Sequence, residues 1–255
     1  MQDKSAFTTL RLFYKYALAR HRRNTKRAMT PKIVDPEDLY SHLTPELRAL
    51  AQRGVIHSYP RKTLLIREGD MGDHLFVLLQ GNVRVFSADH AGRELTYAQI
   101  GAGNYFGEMA LDGGVRSASV ITLETCTCAL LTRSDVSEHL IEEPGFAVNL
   151  VVQVIRRARA ATEVARNMAL MDVYTRLVVT LEEHVEACVE AANPGLDAEA
   201  AYPMLVEPVT HQEIASRIGA SREMVSRQLK DLEKGGYLKM GTKKIVLLKK
   251  LPVRW

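Results

Sequence analysis

Arg222, Glu223, Ser226 and Arg227 stand close together in the stretch Ser221-Arg222-Glu223-Met224-Val225-Ser226-Arg227. On a helix, at about 100° per residue, these four side chains span an arc of roughly 140°. One face then carries two guanidinium forks, a carboxylate and a hydroxyl. Arg bonds bidentately to guanine and Glu accepts from the amino group of cytosine, so such a face suits the major groove of DNA. A solvated charged helix face is the plainer alternative.

The flanking residues predict the elements that would position this face. Val225, Leu229 and Leu232 recur at i, i+4 and i+7 as the inward side of a helix, and Ser221 stands where it can cap that helix. Upstream, Thr210 and Glu213 form a capping box, Ile214, Ala215 and Ile218 form an apolar face, and Gly219 stops the turn. Two short helices joined this way are a helix-turn-helix, which delivers base-reading groups from the first turns of its second helix. Thr210, Gln212, Ser221, Arg222, Glu223, Ser226 and Arg227 form the candidate DNA-contacting set. After Gly235-Gly236, the pattern from Tyr237 to Leu247 predicts a hairpin with a basic tip, a wing. Its Lys243 and Lys244 are either phosphate contacts or plain surface lysines.

Charge is distributed to match. Residues 1–28 hold eight Lys/Arg and one Asp, a net +7; residues 29–207 hold fifteen against twenty-five, a net −10; residues 208–255 hold eleven against four, again +7. A basic C-terminal module on an acidic body is the footprint of a nucleic-acid binder, because Lys and Arg displace counterions from phosphates. At 255 residues, 46% of them hydrophobic, the chain is long enough for two modest domains. No run of about 18 apolar residues is present and the N-terminus lacks a secretory pattern, so a cytoplasmic protein without a membrane partner is expected. Cys126, Cys128 and Cys188 form no C-x-x-C pair, which argues against a disulfide framework or an iron–sulfur cluster. Eight scattered histidines show no metal-ligand spacing. With no convergent acid–base or nucleophile set, no enzyme is expected.

Read in order, residues 1–28 are aromatic and basic, with Met29 as an alternative start, and form an accessory extension or a nucleic-acid or membrane-surface arm. Leu39, Leu43, Leu47 and Leu50 predict one or two short helices, with Thr44 capping ahead of Pro45. From about Val55 to Arg133, short β segments such as 63–66, 75–79, 82–86 and 118–122 are punctuated by glycines, the pattern of a small β-barrel or β-roll. Cys126 and Cys128 should share one strand face in its core. Residues 134–143 predict a short helix ended by Pro144-Gly145. A long helix follows, in which Ala147, Leu150, Val154, Arg157, Ala161, Val164 and Met168 repeat at intervals of 3 and 4. That seam fits pairing with a second copy in a homodimer, or packing on the chain's own β unit. Residues 172–189 continue as an amphipathic helix, and 191–208 read as a loop-rich join.

In this order the chain resembles the Crp/Fnr family of bacterial transcription regulators, over roughly residues 35–250. Ser221 to Arg227 is similar to the family's S-R-E-T-V-x-R recognition helix, and Phe106-Gly107-Glu108-Met109-Ala110-Leu111 to its F-G-E-x-x-L cassette. Asn167 to Val173 is a third match, at the hinge before the DNA-binding domain. The resemblance implies that Gly107, Glu108, Met109, Ala110, Arg116, Ser117 and Ala118 contact a cyclic nucleotide. The residue types fit: amides near Gly107 and the Arg116 guanidinium can hold a phosphate, Ser117 adds a donor, and Glu108 can accept from a ribose hydroxyl. The family's adenine-reading Thr-Ser pair stands here as Ala161-Thr162, and seven residues separate Glu108 from Arg116, fewer than in comparable members. Adenine selectivity is therefore weakened, and Arg156, Arg157, Arg159 and Arg166 admit cyclic di-GMP beside cyclic AMP and cyclic GMP.

The expected architecture is α+β: a basic extension at 1–34, a β-roll sensor domain at 35–145, a dimerisation helix at 146–171 and a winged helix-turn-helix domain at 172–255. The resemblance implies a homodimer controlled by a cyclic nucleotide, binding double-stranded DNA with TGTGA-like half-sites and acting with RNA polymerase, without metal. A regulator with another effector or none, and a nucleotide sensor acting on a protein partner, are the alternatives.

Overall fold

The structure, a computed structural model, describes residues 39–192, 204–206, 210–241 and 244–252. Thr44 opens helix α1 (Pro45–Ala51): its Oγ1 accepts from the Leu47 amide, and Pro45 presets the first turn. Leu47, Leu50 and Ala51 of this helix face inward, as the leucine spacing predicts.

Eight strands follow: β1 (Val55–Tyr59), β2 (Leu64–Ile66), β3 (Leu75–Gln80), β4 (Asn82–Ala88), β5 (Glu94–Gly101), β6 (Asn104–Phe106), β7 (Ser119–Thr122) and β8 (Cys126–Leu131). They pair antiparallel in two four-stranded sheets, ordered β1-β8-β3-β6 and β2-β7-β4-β5. The inner faces meet in a core of Ile66, Phe76, Leu78, Val83, Phe106, Val120, Cys126 and Cys128, where the Phe76 and Phe106 rings stack at 5.0 Å. Both cysteines are fully buried on β8, as their spacing predicts. The sequence pattern does not single out β5, because its residues are half-buried to exposed with no clean alternation.

Thr132 and Asp135 cap each other at the start of α2 (Arg133–Glu142), and Pro144 occupies the first turn of the long α3 (Pro144–Leu170). The residues of the expected seam are divided between the chain's own β-roll and the exposed side of the helix. Arg157, Ala161 and Val164 face a cavity against the chain's own β-roll, and the tip of Met168 lies beside Gly219. The apolar stripe left exposed in the first half of the helix comprises Val148, Val151, Val152, Ile155 and Val154, the last a residue of the expected seam. Periodicity reports that a stripe is covered, and both partners cover the same kind of stripe.

The C-terminal unit comprises α4 (Val173–Ala192), β9 (Met204–Val206), α5 (His211–Ile218), α6 (Arg222–Lys234), β10 (Leu238–Gly241) and β11 (Lys244–Leu247). The wing is the expected hairpin, with one correction: Met204–Val206, inside the stretch read as a loop, pairs with β11 as a third strand. Tyr174, Leu177 and Leu181 of α4 pack on Ile214, Val225 and Leu229, so the two helices of the helix-turn-helix share one core with α4 and the wing. Among the described residues no helix is long and apolar enough to cross a membrane.

Burial pushes the Cys128 thiol up to about 12 and raises that of Cys126 as well. Because the thiolate is the reactive form, a Cys188→Ser protein treated with a thiol reagent at about pH 8 should label neither cysteine until urea unfolds it. Rapid labelling of the native protein would contradict the burial of β8.

Candidate functional site

Gly107 turns the chain out of β6 into a short 3-10 turn, Glu108–Asp112, with φ of +87°. A Cβ there would lie 2.9 Å from Arg116 Nη1 and 3.0 Å from the His74 carbonyl oxygen, so only glycine fits. The reason for the crowding is Arg116 itself, which is 8% exposed. Its Nη1 donates to the Gly107 carbonyl and its Nη2 to the His74 carbonyl, each at 2.9 Å. Burial lowers the pKa of this guanidinium, against the opposing pull of Asp73 and Glu108. Beyond the expected anion contact, then, Arg116 binds two loops together. A guanidinium carries five N–H groups, so donors remain for an anion.

Glu108, 6% exposed, forms an ion pair with Arg157 of α3. Arg157 also donates from Nη2 to the Tyr105 carbonyl at 2.6 Å and lies over the Tyr105 ring at 5.6 Å. Burial lifts the Tyr105 phenol to about 12, against the lowering effect of Arg157. These groups line a cavity of about 400 Å³ between the β-roll and α3. Gly107, Glu108, Met109, Arg116, Ser117, Ala118 and Ala161 of the expected contacts line it together. Ser117 Oγ donates to Met109 Sδ at 3.2 Å. The side chain of Ala110 lies outside the described residues.

Thr162 is not brought to the cavity. Its Oγ1 donates to the Ala158 carbonyl at 2.9 Å, and it lies with Ile155, Arg159 and Arg166 on the opposite side of α3. Sequence reasoning missed Tyr97, Ala98 and Ile100 of β5, which close the cavity, and placed Arg157 both in the seam and among the cationic groups that admit cyclic di-GMP. Arg157 faces the cavity, whereas Arg156, Arg159 and Arg166 are exposed. The cavity thus joins a cationic, donor-rich corner and a buried carboxylate to an otherwise apolar wall. That combination can hold one phosphate and one hydroxyl while accommodating a flat apolar or aromatic body.

The same β5 strand reaches the C-terminal unit. Thr96 Oγ1 donates to Ser216 Oγ of α5 at 3.1 Å, and Arg84 holds both Glu94 at 2.6 Å and Thr96 at 3.2 Å. Arg176 of α4 fixes the junction from the other side, donating to the Ile218 carbonyl at 2.9 Å and the Met171 carbonyl at 2.6 Å.

On α6, Arg222, Glu223 and Arg227 are exposed, as is Gln212 on α5. Thr210 and Ser221 serve as the helix caps, their hydroxyls each accepting an amide at 3.2 Å, and Thr210 completes the box with Glu213. Ser226 is less free than the sequence implies, because it shares a 2.8 Å hydrogen bond with His211 Nδ1 that ties α6 to α5. His211 therefore ties the two helices of the helix-turn-helix together, a role that sequence spacing does not reveal. Lys244 begins β11 without a described side chain, and Lys243 lies outside the described residues.

Comparison with known proteins agrees with this division of the chain. Residues 56–142 match the cyclic nucleotide-binding domain model and residues 181–251 the Crp-like helix-turn-helix domain model. The cAMP-activated global transcriptional regulator CRP of Haemophilus influenzae is 31% identical over 195 residues, 75% of this chain and 83% of that protein. The cyclic AMP receptor protein of Thermus thermophilus is 32% identical over 184 residues, 72% of this chain and 79% of the other. Among solved structures, the c-di-GMP responsive global regulator CLP of Xanthomonas campestris superposes with a TM-score of 0.68 at 26% identity, covering 79% of this chain and 97% of that one. These relatives are transcription regulators, not enzymes.

The placement of Arg116 generates a test. Arg116→Ala removes donors from two carbonyls at a buried position, and urea unfolding of the ligand-free protein should show a loss of about 1–3 kcal/mol. A residue serving solely to hold an anion would leave ligand-free stability unchanged or raised.

Proposed function

Because this chain belongs to the Crp/Fnr family of transcription regulators, we propose that it is a homodimeric DNA-binding regulator switched by a cyclic mononucleotide in the cavity under α3. The observation that carries this reading is the convergence of Arg116, Glu108 and Arg157 on one wall of a cavity closed by β5. Arg116 and the amides of the 3-10 turn receive the cyclic phosphate, and Glu108 accepts from the ribose hydroxyl. The base lies against Ile100, Val164 and Ala161.

The geometry favours a ligand with one phosphate. Among the described residues, Arg116 and Arg157 are the arginines facing the cavity, and Arg157 is already engaged by Glu108. Cyclic di-GMP, to which the Xanthomonas campestris regulator is responsive, would need a second anion site, and Arg156, Arg159 and Arg166 point elsewhere.

The exposed stripe Val148, Val151, Val152, Val154 and Ile155 is the seam on which two copies of α3 pair. Thr162, on the side of α3 away from its own cavity, would then meet the second copy. Pairing sets the two α6 helices about 34 Å apart, the spacing of half-sites one DNA turn apart, and a TGTGA-like palindrome is the expected target. Ligand contacts reach α5 through β5 and through the α3 hinge, so occupancy shifts the population of DNA-competent dimers by its differential affinity for the two states.

Isothermal calorimetry with cyclic AMP, cyclic GMP and cyclic di-GMP tests the effector. Cyclic AMP or cyclic GMP should bind one per protomer, and Glu108→Gln should weaken binding at least tenfold, about the contribution of a charge-assisted hydrogen bond. No heat from either mononucleotide would overturn the assignment.

A further inference from the structure

Beside the charged face of α6, past its Arg227 edge and clear of the core, stands one large exposed apolar side chain. Met224 is 42% exposed in the first turn of the helix, and its amide is capped by Ser221 Oγ at 3.2 Å. It stands outside the core formed by Val225, Leu229 and Leu232. Where the recognition motif it resembles carries Thr, this chain carries Met.

Helix geometry places Met224 about 60° round from Arg227 and one turn nearer the helix start, so the two side chains are i, i+3 neighbours. A thioether has no donor and accepts only weakly, so it gains nothing from phosphates or from the polar edges of bases. Its surface is unbranched, flexible and polarizable, suited to an apolar contact of irregular shape. The major groove offers one apolar feature among its donors and acceptors, the C5-methyl group of thymine.

We propose that Met224 is a specificity-determining residue that reads a thymine methyl beside the base pair read by Arg227. The proposal rests on α6 being the recognition helix. Removing Met224 weakens binding at that one base pair, whereas a phosphate contact would weaken binding to all sequences alike.

The test uses the full chain, alone and with cyclic AMP, cyclic GMP or cyclic di-GMP, to enrich duplexes from a randomised pool. Each thymine of the enriched duplex is then replaced singly by deoxyuridine, which removes the methyl group and nothing else. Wild-type protein should lose about fourfold affinity at one thymine per half-site, the equivalent of about 0.8 kcal/mol for one buried methyl-sized group. Met224→Ala and Met224→Gln should bind the thymine duplex about fourfold more weakly and be indifferent to that substitution, while Arg227→Ala keeps the sensitivity. An enriched site without a fixed thymine, or variants that respond to deoxyuridine as wild type does, would overturn the proposal. Failure to enrich any duplex would instead overturn the reading of α6 on which it rests.

Discussion

Glu108 retains 4% of its side-chain exposure, and a carboxylate that far from water requires a cation or donors. The chain meets this demand from a distance, with Arg157 reaching down from α3 to pair with it and to bond the Tyr105 carbonyl. The seat of the long helix on the β-roll is thereby set by charge as well as by apolar contact. Removing one partner from such a pair is costly, because the other is left buried and uncompensated. A ligand hydroxyl that donated to Glu108, as proposed above, would share the carboxylate with Arg157 and so change what holds α3 in place.

Two structural routes lead from that contact to the DNA-binding unit. Along α3, Met168 lies against Gly219, the left-handed residue that ends α5, where even a methyl group would come within 2.9 Å of the methionine tip. Along β5, residues 97, 98 and 100 close the cavity while Thr96 bonds Ser216. Arg176 clasps the junction through two backbone carbonyls. Small shifts at the cavity therefore act on packed, discrete contacts, the kind of element that passes a population change between sites.

Local chemistry made the C-terminal unit readable from sequence. Thr210 with Glu213, Gly219 and Ser221 each signal a helix boundary within a few residues, and the structure places the caps there. The cavity was readable through its cassette, but its chemistry was not. The second role of Arg116 depends on the His74 carbonyl, 42 residues away in the chain. Arg157 looked like part of a dimer seam because a covered stripe reads the same whether the chain's own β-roll or a second copy covers it. β9 was missed because three residues in a proline-containing join carry too little pattern, and its strand character comes from pairing with β11. Local signals mark the helix boundaries of the C-terminal unit, and contacts across long sequence separations build the cavity.

Occupancy of the cavity and engagement of DNA, proposed above to be one coupled equilibrium, are linked in a way that can be measured in both directions. Anisotropy titrations of a labelled operator duplex with and without the saturating mononucleotide give one coupling factor; calorimetric titration of that mononucleotide into free and operator-bound protein gives the other. Equal factors are expected, in the range of about 5- to 150-fold. A mononucleotide that fills the cavity with measurable heat and leaves operator affinity unchanged would contradict it.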